Sequence, residues 1–195
     1  MVSKSEARAA ANAAAASMSG AEKEWADGAI TDALTSLDVF RKCKKPFVFM
    51  SSPDEPDTRE IIGLLLAMEK TVSVPRVRGG EMDAVVITPY TDFRKNKWGI
   101  EEPVRGHIAD ECDLAIVPVV AFDGLKRAGH GKGYYDRFLS AHPDCVKIGI
   151  AYDCRRAEGM LTEAHDIALN IMVTEREIIP AAGVAVENVF GGTEE

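Results

Sequence analysis

Short apolar runs alternate with longer amphipathic stretches along most of the chain. Phe47, Val48, Phe49 and Met50 follow Pro46 with no polar interruption. A run of that length suits a strand covered on both faces, and it predicts one over 46–51. Similar runs predict strands over 71–76, 82–88, 113–120, 146–152 and 170–174. Ile61, Ile62, Leu65, Leu66 and Met68 share one face at helical spacing, which predicts a helix over 58–70. Two further helices are expected over 3–17 and 21–42, with Gly20 between them and Ser19 placed to cap the second. A short helix over 133–141 follows a glycine-rich segment. Residues 92–103 break the rhythm: they are polar and turn-rich, either a hairpin or an inserted binding loop. Strands alternating with helices imply βαβ units, hence an α/β fold with a mostly parallel sheet and helices on both faces. Ligands of such sheets bind beyond the carboxyl ends of the strands. The loops after Met50, Val120 and Tyr152 are expected to meet there.

Composition narrows the picture. A length of 195 residues with 46% apolar content favours one domain over 1–195. The net charge of −8, without a long basic stripe, argues against nucleic acid and against an anionic membrane surface as partners. No run of apolar residues is long enough to span a bilayer, and the alanine-rich start lacks an apolar signal core. A cytoplasmic protein is the expectation. Cys43, Cys112, Cys145 and Cys154 show no metal-ligand or Cys-x-x-Cys spacing and are expected as reduced, partly buried thiols.

The chemistry concentrates in residues 127–137. Gly129, His130, Gly131, Lys132 and Gly133 alternate glycine with a basic or titratable side chain, and Tyr134, Tyr135, Asp136 and Arg137 follow. Glycine at every second position lets backbone amides approach and face one anion. Arg127, Lys132 and Arg137 add positive charge, and Asp136 offers a carboxylate for a divalent cation. The plain alternatives are a structural turn, with Asp136 stabilising the first helical turn and Tyr134 and Phe138 packing on one helix face. A local basic cluster in an acidic chain reads as a small-anion site, namely phosphate beside a metal. The spacing is neither a Walker A loop nor a dinucleotide fingerprint.

Val119-Val120-Ala121-Phe122-Asp123, followed by the 129–137 segment, resembles the signature of the 5-formyltetrahydrofolate cyclo-ligase family. Lys4 and Arg8, the loop Pro53-Asp54-Glu55-Pro56-Asp57-Thr58, Val74-Pro75-Arg76-Val77 and Lys97-Trp98-Gly99-Ile100-Glu101-Glu102-Pro103 extend the resemblance nearly end to end. It implies a three-layer αβα sandwich, Rossmann-like, and conversion of 5-formyltetrahydrofolate to 5,10-methenyltetrahydrofolate with ATP and Mg²⁺. It places ATP at Lys4, Arg8, Arg127, Gly129, His130, Gly131, Lys132, Gly133, Tyr134 and Tyr135, with Lys132 and Arg127 neutralising charge on the transferred phosphoryl group. It places the folate at Met50, Glu55, Trp98, His130 and Tyr134, and the metal at Asp136 and Asn170. The partners implied are a folate and ATP, and a monomer or weak dimer is expected.

Two departures stand out. His130 replaces the arginine of many relatives, a weaker cation at neutral pH. Asn170 stands where an aspartate is frequent, with Asp166 or Asp153 as possible compensation. They motivate a second reading, a homologue that keeps the folate or nucleotide pocket but turns over weakly. A third, an enzyme of sugar phosphates on a related scaffold, fits the fold class alone.

Overall fold

A computed structural model describes residues 1–163, 166–184 and 186. Its helices are α1 (Lys4–Ser17), α2 (Gly20–Ser36), α3 (Asp38–Lys42), α4 (Arg59–Ala67) and α5 (Tyr134–Ala141). Its strands are β1 (Pro46–Val48), β2 (Ser73–Arg78), β3 (Glu81–Val86), β4 (Phe93–Lys95), β5 (Glu101–Pro103), β6 (Leu114–Pro118), β7 (Ala121–Asp123), β8 (Lys126–Ala128), β9 (Val146–Ile150), β10 (Ile171–Val173) and β11 (Ile178–Pro180). Seven strands form one sheet in the order β11-β10-β9-β6-β1-β2-β3. The five central strands run parallel, and the two edge strands are antiparallel to their neighbours.

The strands carry apolar residues on both faces because helices cover both. Val48, Leu114, Ile116, Ile148 and Ile150 pack with Ile30, Leu34, Phe40, Ile61 and Leu65 from α2, α3 and α4. The alternate positions Phe47, Ala115, Val117 and Met172 pack with Phe138 and Leu139 of α5. This is the two-residue period of a strand read on a doubly covered sheet. Among the described residues no helix is long and apolar enough to cross a membrane.

Both N-terminal helices begin with a capping box, Ser3 with Glu6 and Ser19 with Glu22, so the expected Ser19 cap is present. The single helix expected over 21–42 is two. Leu37 adopts φ −72°, ψ 129° and buries its side chain, which ends α2 before α3 begins. Arg41 then donates to the carbonyls of Thr35 and Ser36, which the break leaves without helical partners. The turn-rich stretch 92–103 is the β4–β5 hairpin. Two elements escaped the hydrophobic pattern: the β7–β8 hairpin, turned at Gly124-Leu125, and the edge strand β11. The parallel strands all end toward one side, and the loops leaving β1, β6 and β9 meet there.

Candidate functional site

A cavity of about 1110 Å³ opens at the carboxyl ends of the central strands. Its lining comes from the loop between β1 and α4, strands β2 and β3, the β4–β5 hairpin, the end of β6, the segment from β8 into α5, the N-terminus of α1, and Glu163 with Asp166.

The β1–α4 loop presents Glu55. Its side chain is buried, and Oε2 accepts hydrogen bonds from the Ser52 amide and hydroxyl, both at 2.9 Å. Oε1 lies 2.8 Å from Nε2 of His130, across the cavity floor. Burial pushes the Glu55 carboxyl up, but the bonds from His130 and Ser52 outweigh it, and the carboxyl sits below its ordinary range. Glu55 is therefore a preformed anion with its oxygens already oriented. The loop behind it is pinned from three sides. The Tyr152 hydroxyl lies 2.9 Å from Oδ1 of Asp27 and 3.2 Å from the Glu55 carbonyl, and Asp27 also accepts the Asp57 amide at 3.1 Å. Arg155 is fully buried and donates to Asn12, to the Val120 carbonyl and to the Asp54 carbonyl at 3.0, 3.0 and 2.6 Å. One guanidinium thus joins α1, the exit of β6 and the acidic loop.

The segment after β8 is built differently. Gly131 and Gly133 have φ of 81° and 67°, backbone that other L-residues adopt at a cost, and Gly133 leads directly into α5. His130, Gly131 and Lys132 are exposed toward the cavity. The start of the eight-residue α5 lies beside them, and Tyr134, Tyr135 and Asp136 line the same cavity. The anchor of this loop is Arg8, whose Nε donates to the Gly129 carbonyl at 2.7 Å. Arg127 is buried and donates through Nη2 to Oδ1 of Asp136 at 2.6 Å, while its Nε has no hydrogen-bond partner among the described residues. Burial draws the Arg127 guanidinium below its ordinary value against the pull of Asp136, yet an arginine remains a cation there. Arg137 lies over the Tyr134 ring, 5.2 Å from its centroid, and donates to the Lys132 carbonyl.

The opposite wall is apolar. Met50, Pro75, Val77, Met82, Trp98 and Ile100 line it. Trp98 is exposed at the hairpin turn, where Asn96 holds the backbone by accepting the amides of Trp98 and Ile100 at 2.9 and 3.2 Å. Nδ2 of Asn96 donates in turn to Glu102.

Most residues expected at the site do line this one cavity: Lys4, Arg8, Met50, Glu55, Trp98, Arg127, Gly129, His130, Gly131, Lys132, Gly133, Tyr134, Tyr135 and Asp136. Three differ in detail from the expectation. Lys4 holds Glu163 and Asp166 at 2.7 and 2.5 Å, and these bonds raise its pKa against the opposing effect of burial. Tyr135 turns its ring into the core, 6.3 Å from Phe47, and burial pushes its phenol up. Asn170 does not reach the cavity. It precedes β10 at the amino ends of the strands, and its Oδ1 accepts the Lys147 amide at 2.8 Å, so its carboxamide is spent on joining β9 to β10. The assignment of Asn170 to a metal is corrected accordingly. Asp153 pairs with Arg156 away from the cavity, whereas Asp166 and Glu163 line it. Among the described residues no three His, Cys, Asp or Glu side chains converge as a closed metal cage. Mg²⁺ needs none, since it takes one or two carboxylates, substrate phosphates and water. Asp136 and Asp166 on one cavity fit that demand. Sequence reading missed Asp27, Tyr152, Arg155 and Ser52. Tyr152 and Arg155 follow β9 immediately, a position that fold logic assigns to the site end of the sheet, but nothing marks their partners on distant segments.

Residues 1–175 match the profile of the 5-formyltetrahydrofolate cyclo-ligase family. A probable 5-formyltetrahydrofolate cyclo-ligase of Schizosaccharomyces pombe is 38% identical over 122 residues, 56% of this chain and 58% of that protein. One of Caenorhabditis elegans, also named as probable, is 34% identical over 159 residues, 72% of this chain and 77% of that one. The solved structure of Aquifex aeolicus 5,10-methenyltetrahydrofolate synthetase superposes with a TM-score of 0.82 at 31% identity, covering 95% of this chain and 97% of its own. With the fold, the glycine–lysine loop and the cavity in agreement, the chain belongs to the 5-formyltetrahydrofolate cyclo-ligase family, whose enzymes use ATP, and its reaction is the conversion of 5-formyltetrahydrofolate to 5,10-methenyltetrahydrofolate.

Proposed function

We propose that ATP lies along the glycine loop with its terminal phosphates toward Lys132, while the folate lies against the Met50–Trp98 wall with its pterin at Glu55. One observation carries this reading: a single cavity joins an amide-rich basic loop to an apolar wall that ends in a buried, ionised carboxylate. An ionised Glu55 accepts hydrogen bonds from the donor edge of a pterin, including its exocyclic amine. The pterin N–H groups then compete with His130 for Oε1, and Ser52 keeps Oε2 fixed.

The formyl oxygen is a weak nucleophile, so the rate depends on alignment and on charge neutralisation at the γ-phosphate. The amides of the glycine loop and the Lys132 ammonium stabilise the charge spread over the transferred oxygens. Arg127 holds Asp136 in place and adds a buried positive field behind the loop. Asp136 and Asp166 would hold Mg²⁺, which supplies further neutralisation of the phosphates when bound. Attack of the formyl oxygen on the γ-phosphorus breaks the bond to ADP and leaves an N5-iminium phosphate. N10 then attacks the iminium carbon and loses its proton, and inorganic phosphate departs. Lys4 is bonded to Glu163 and Asp166 at the cavity mouth, and anionic ATP offers it alternative partners.

The test is formation of methenyltetrahydrofolate followed by absorbance, with ATP and Mg²⁺ each present or withheld. Product that requires both supports the reading. Equal product without ATP, or none at saturating folate and ATP, rejects it.

A further inference from the structure

At the other end of the sheet, two of the four cysteines face each other. Cys112 precedes β6 and Cys145 precedes β9, adjacent parallel strands whose register pairs Leu114 with Val146. Their sulfurs lie 2.8 Å apart, although the residues are 33 positions apart in sequence. Both are free thiols. Cys145 is buried, while Cys112 is partly exposed beside a shallow surface depression that both line. The bonded backbone fixes this approach: the Val146 amide donates to the Asp113 carbonyl at 3.0 Å, and the Lys44 and Lys45 amides donate to the Asp113 carboxylate. Among the described residues no third His, Cys, Asp or Glu joins the pair as a metal ligand, so the geometry favours sulfur–sulfur chemistry over metal binding.

We propose that Cys112 and Cys145 form a reversible disulfide under peroxide or disulfide oxidants, a modification site that staples the base of the nucleotide-binding segment. With peroxide, the Cys112 thiolate attacks one oxygen, the O–O bond breaks, and water leaves after protonation; Cys112 becomes a sulfenic acid. The Cys145 sulfur then attacks that sulfur, its proton goes to the departing hydroxide as water, and the disulfide forms. Two electrons pass from the thiols to the peroxide. The order is set by access: Cys145 is buried against Cys112, so the partly exposed Cys112 reacts first.

The position gives the bond a consequence. The two cysteines bracket β6, the β7–β8 hairpin, the glycine loop and α5, the continuous segment that carries Arg127 through Asp136. Closing a loop of that length removes conformations from the unfolded chain, while the folded backbone has the sulfurs in place beforehand. The oxidised protein is expected to melt roughly 5–10 °C higher than the reduced one, and dithiothreitol to reverse the gain.

The experiment treats the purified full chain with hydrogen peroxide, then alkylates remaining thiols and maps peptides without reduction. The expected result is a Cys112–Cys145 linked peptide lighter by two hydrogens, together with the rise in melting temperature. C154S is expected to keep both effects, and C112S to lose both while melting like the reduced wild type. Oxidation that leaves Cys112 and Cys145 fully alkylatable, or that modifies Cys154 alone, overturns the proposal. A linked peptide with no change in melting temperature overturns the stabilising role.

Discussion

The two loops that face each other across the cavity are built on opposite principles. The acidic loop is held by accumulation: Glu55, Asp27, Tyr152 and Arg155 lock it through hydrogen bonds that are partly shielded from solvent. The glycine loop is held at its ends, by Arg8 on Gly129 and by α5, while Lys132 and the turn between remain open. Under the proposed function the difference matches two kinds of ligand. A pterin is flat and stiff, and a carboxylate fixed before binding recognises its donor edge without reorganisation. Triphosphate is flexible and highly charged, and a loop of amides with an exposed lysine suits charge that moves during transfer. The His130–Glu55 hydrogen bond is where the two designs touch.

Substitutions on each side break this comparison in distinguishable ways. The largest effect is expected at Lys132: Lys132→Ala lowers kcat by about 10²–10³-fold, since it removes charge developed only in transfer, and leaves the KM for folate within about threefold. Steady-state kinetics in both substrates check this, and wild-type turnover would remove Lys132 from the mechanism. Next is Glu55→Gln, expected to raise the folate KM about 10–100-fold with a smaller change in kcat, because a buried acceptor paired to a ligand donor is lost.

Glu55 also makes a pH prediction. Its folded pKa is depressed, so its contribution to stability is complete above the ordinary carboxylate range and is lost as pH falls through the lowered folded value. Thermal melts from pH 7 downward are expected to show wild type losing stability relative to Glu55→Gln only in the acid limb. A constant difference across pH contradicts the assigned charge. Gly133→Ala is expected to cost about 1–2 kcal/mol of stability, because φ of 67° is strained for alanine, and to slow turnover further by shifting the loop. Denaturant unfolding measures the first part. The smallest effect is at Trp98, exposed on a hairpin tip: Trp98→Ala is expected to raise the folate KM about two- to fivefold and to leave stability within about 0.5 kcal/mol.

The same contrast explains what the sequence discloses. The glycine loop is local: its chemistry lies within eleven consecutive residues, so glycine spacing together with the adjacent basic side chains marks it. The parallel sheet is similarly legible, because doubly covered strands leave continuous apolar runs such as Phe47 to Met50. The acidic loop is non-local. Arg155 and Asp54 are 101 positions apart, and Tyr152 and Asp27 are 125 apart, so no periodicity connects them. Asn170 shows the converse failure: a residue aligned with a metal position by pattern can face the amino ends of the strands once the register with β9 is fixed. The break at Leu37 depends on burial of one side chain and on Arg41 serving the exposed carbonyls, neither visible in helix propensity.

The central claim is that the glycine loop presents the γ-phosphate of ATP to the formyl oxygen of a folate held in the same cavity. Substrate labelled with oxygen-18 in the formyl group tests it most directly, through the mass of the phosphate released. One labelled oxygen per phosphate is the expected outcome; unlabelled phosphate alongside normal product formation would show that the formyl oxygen never bonds to phosphorus, and would contradict the account.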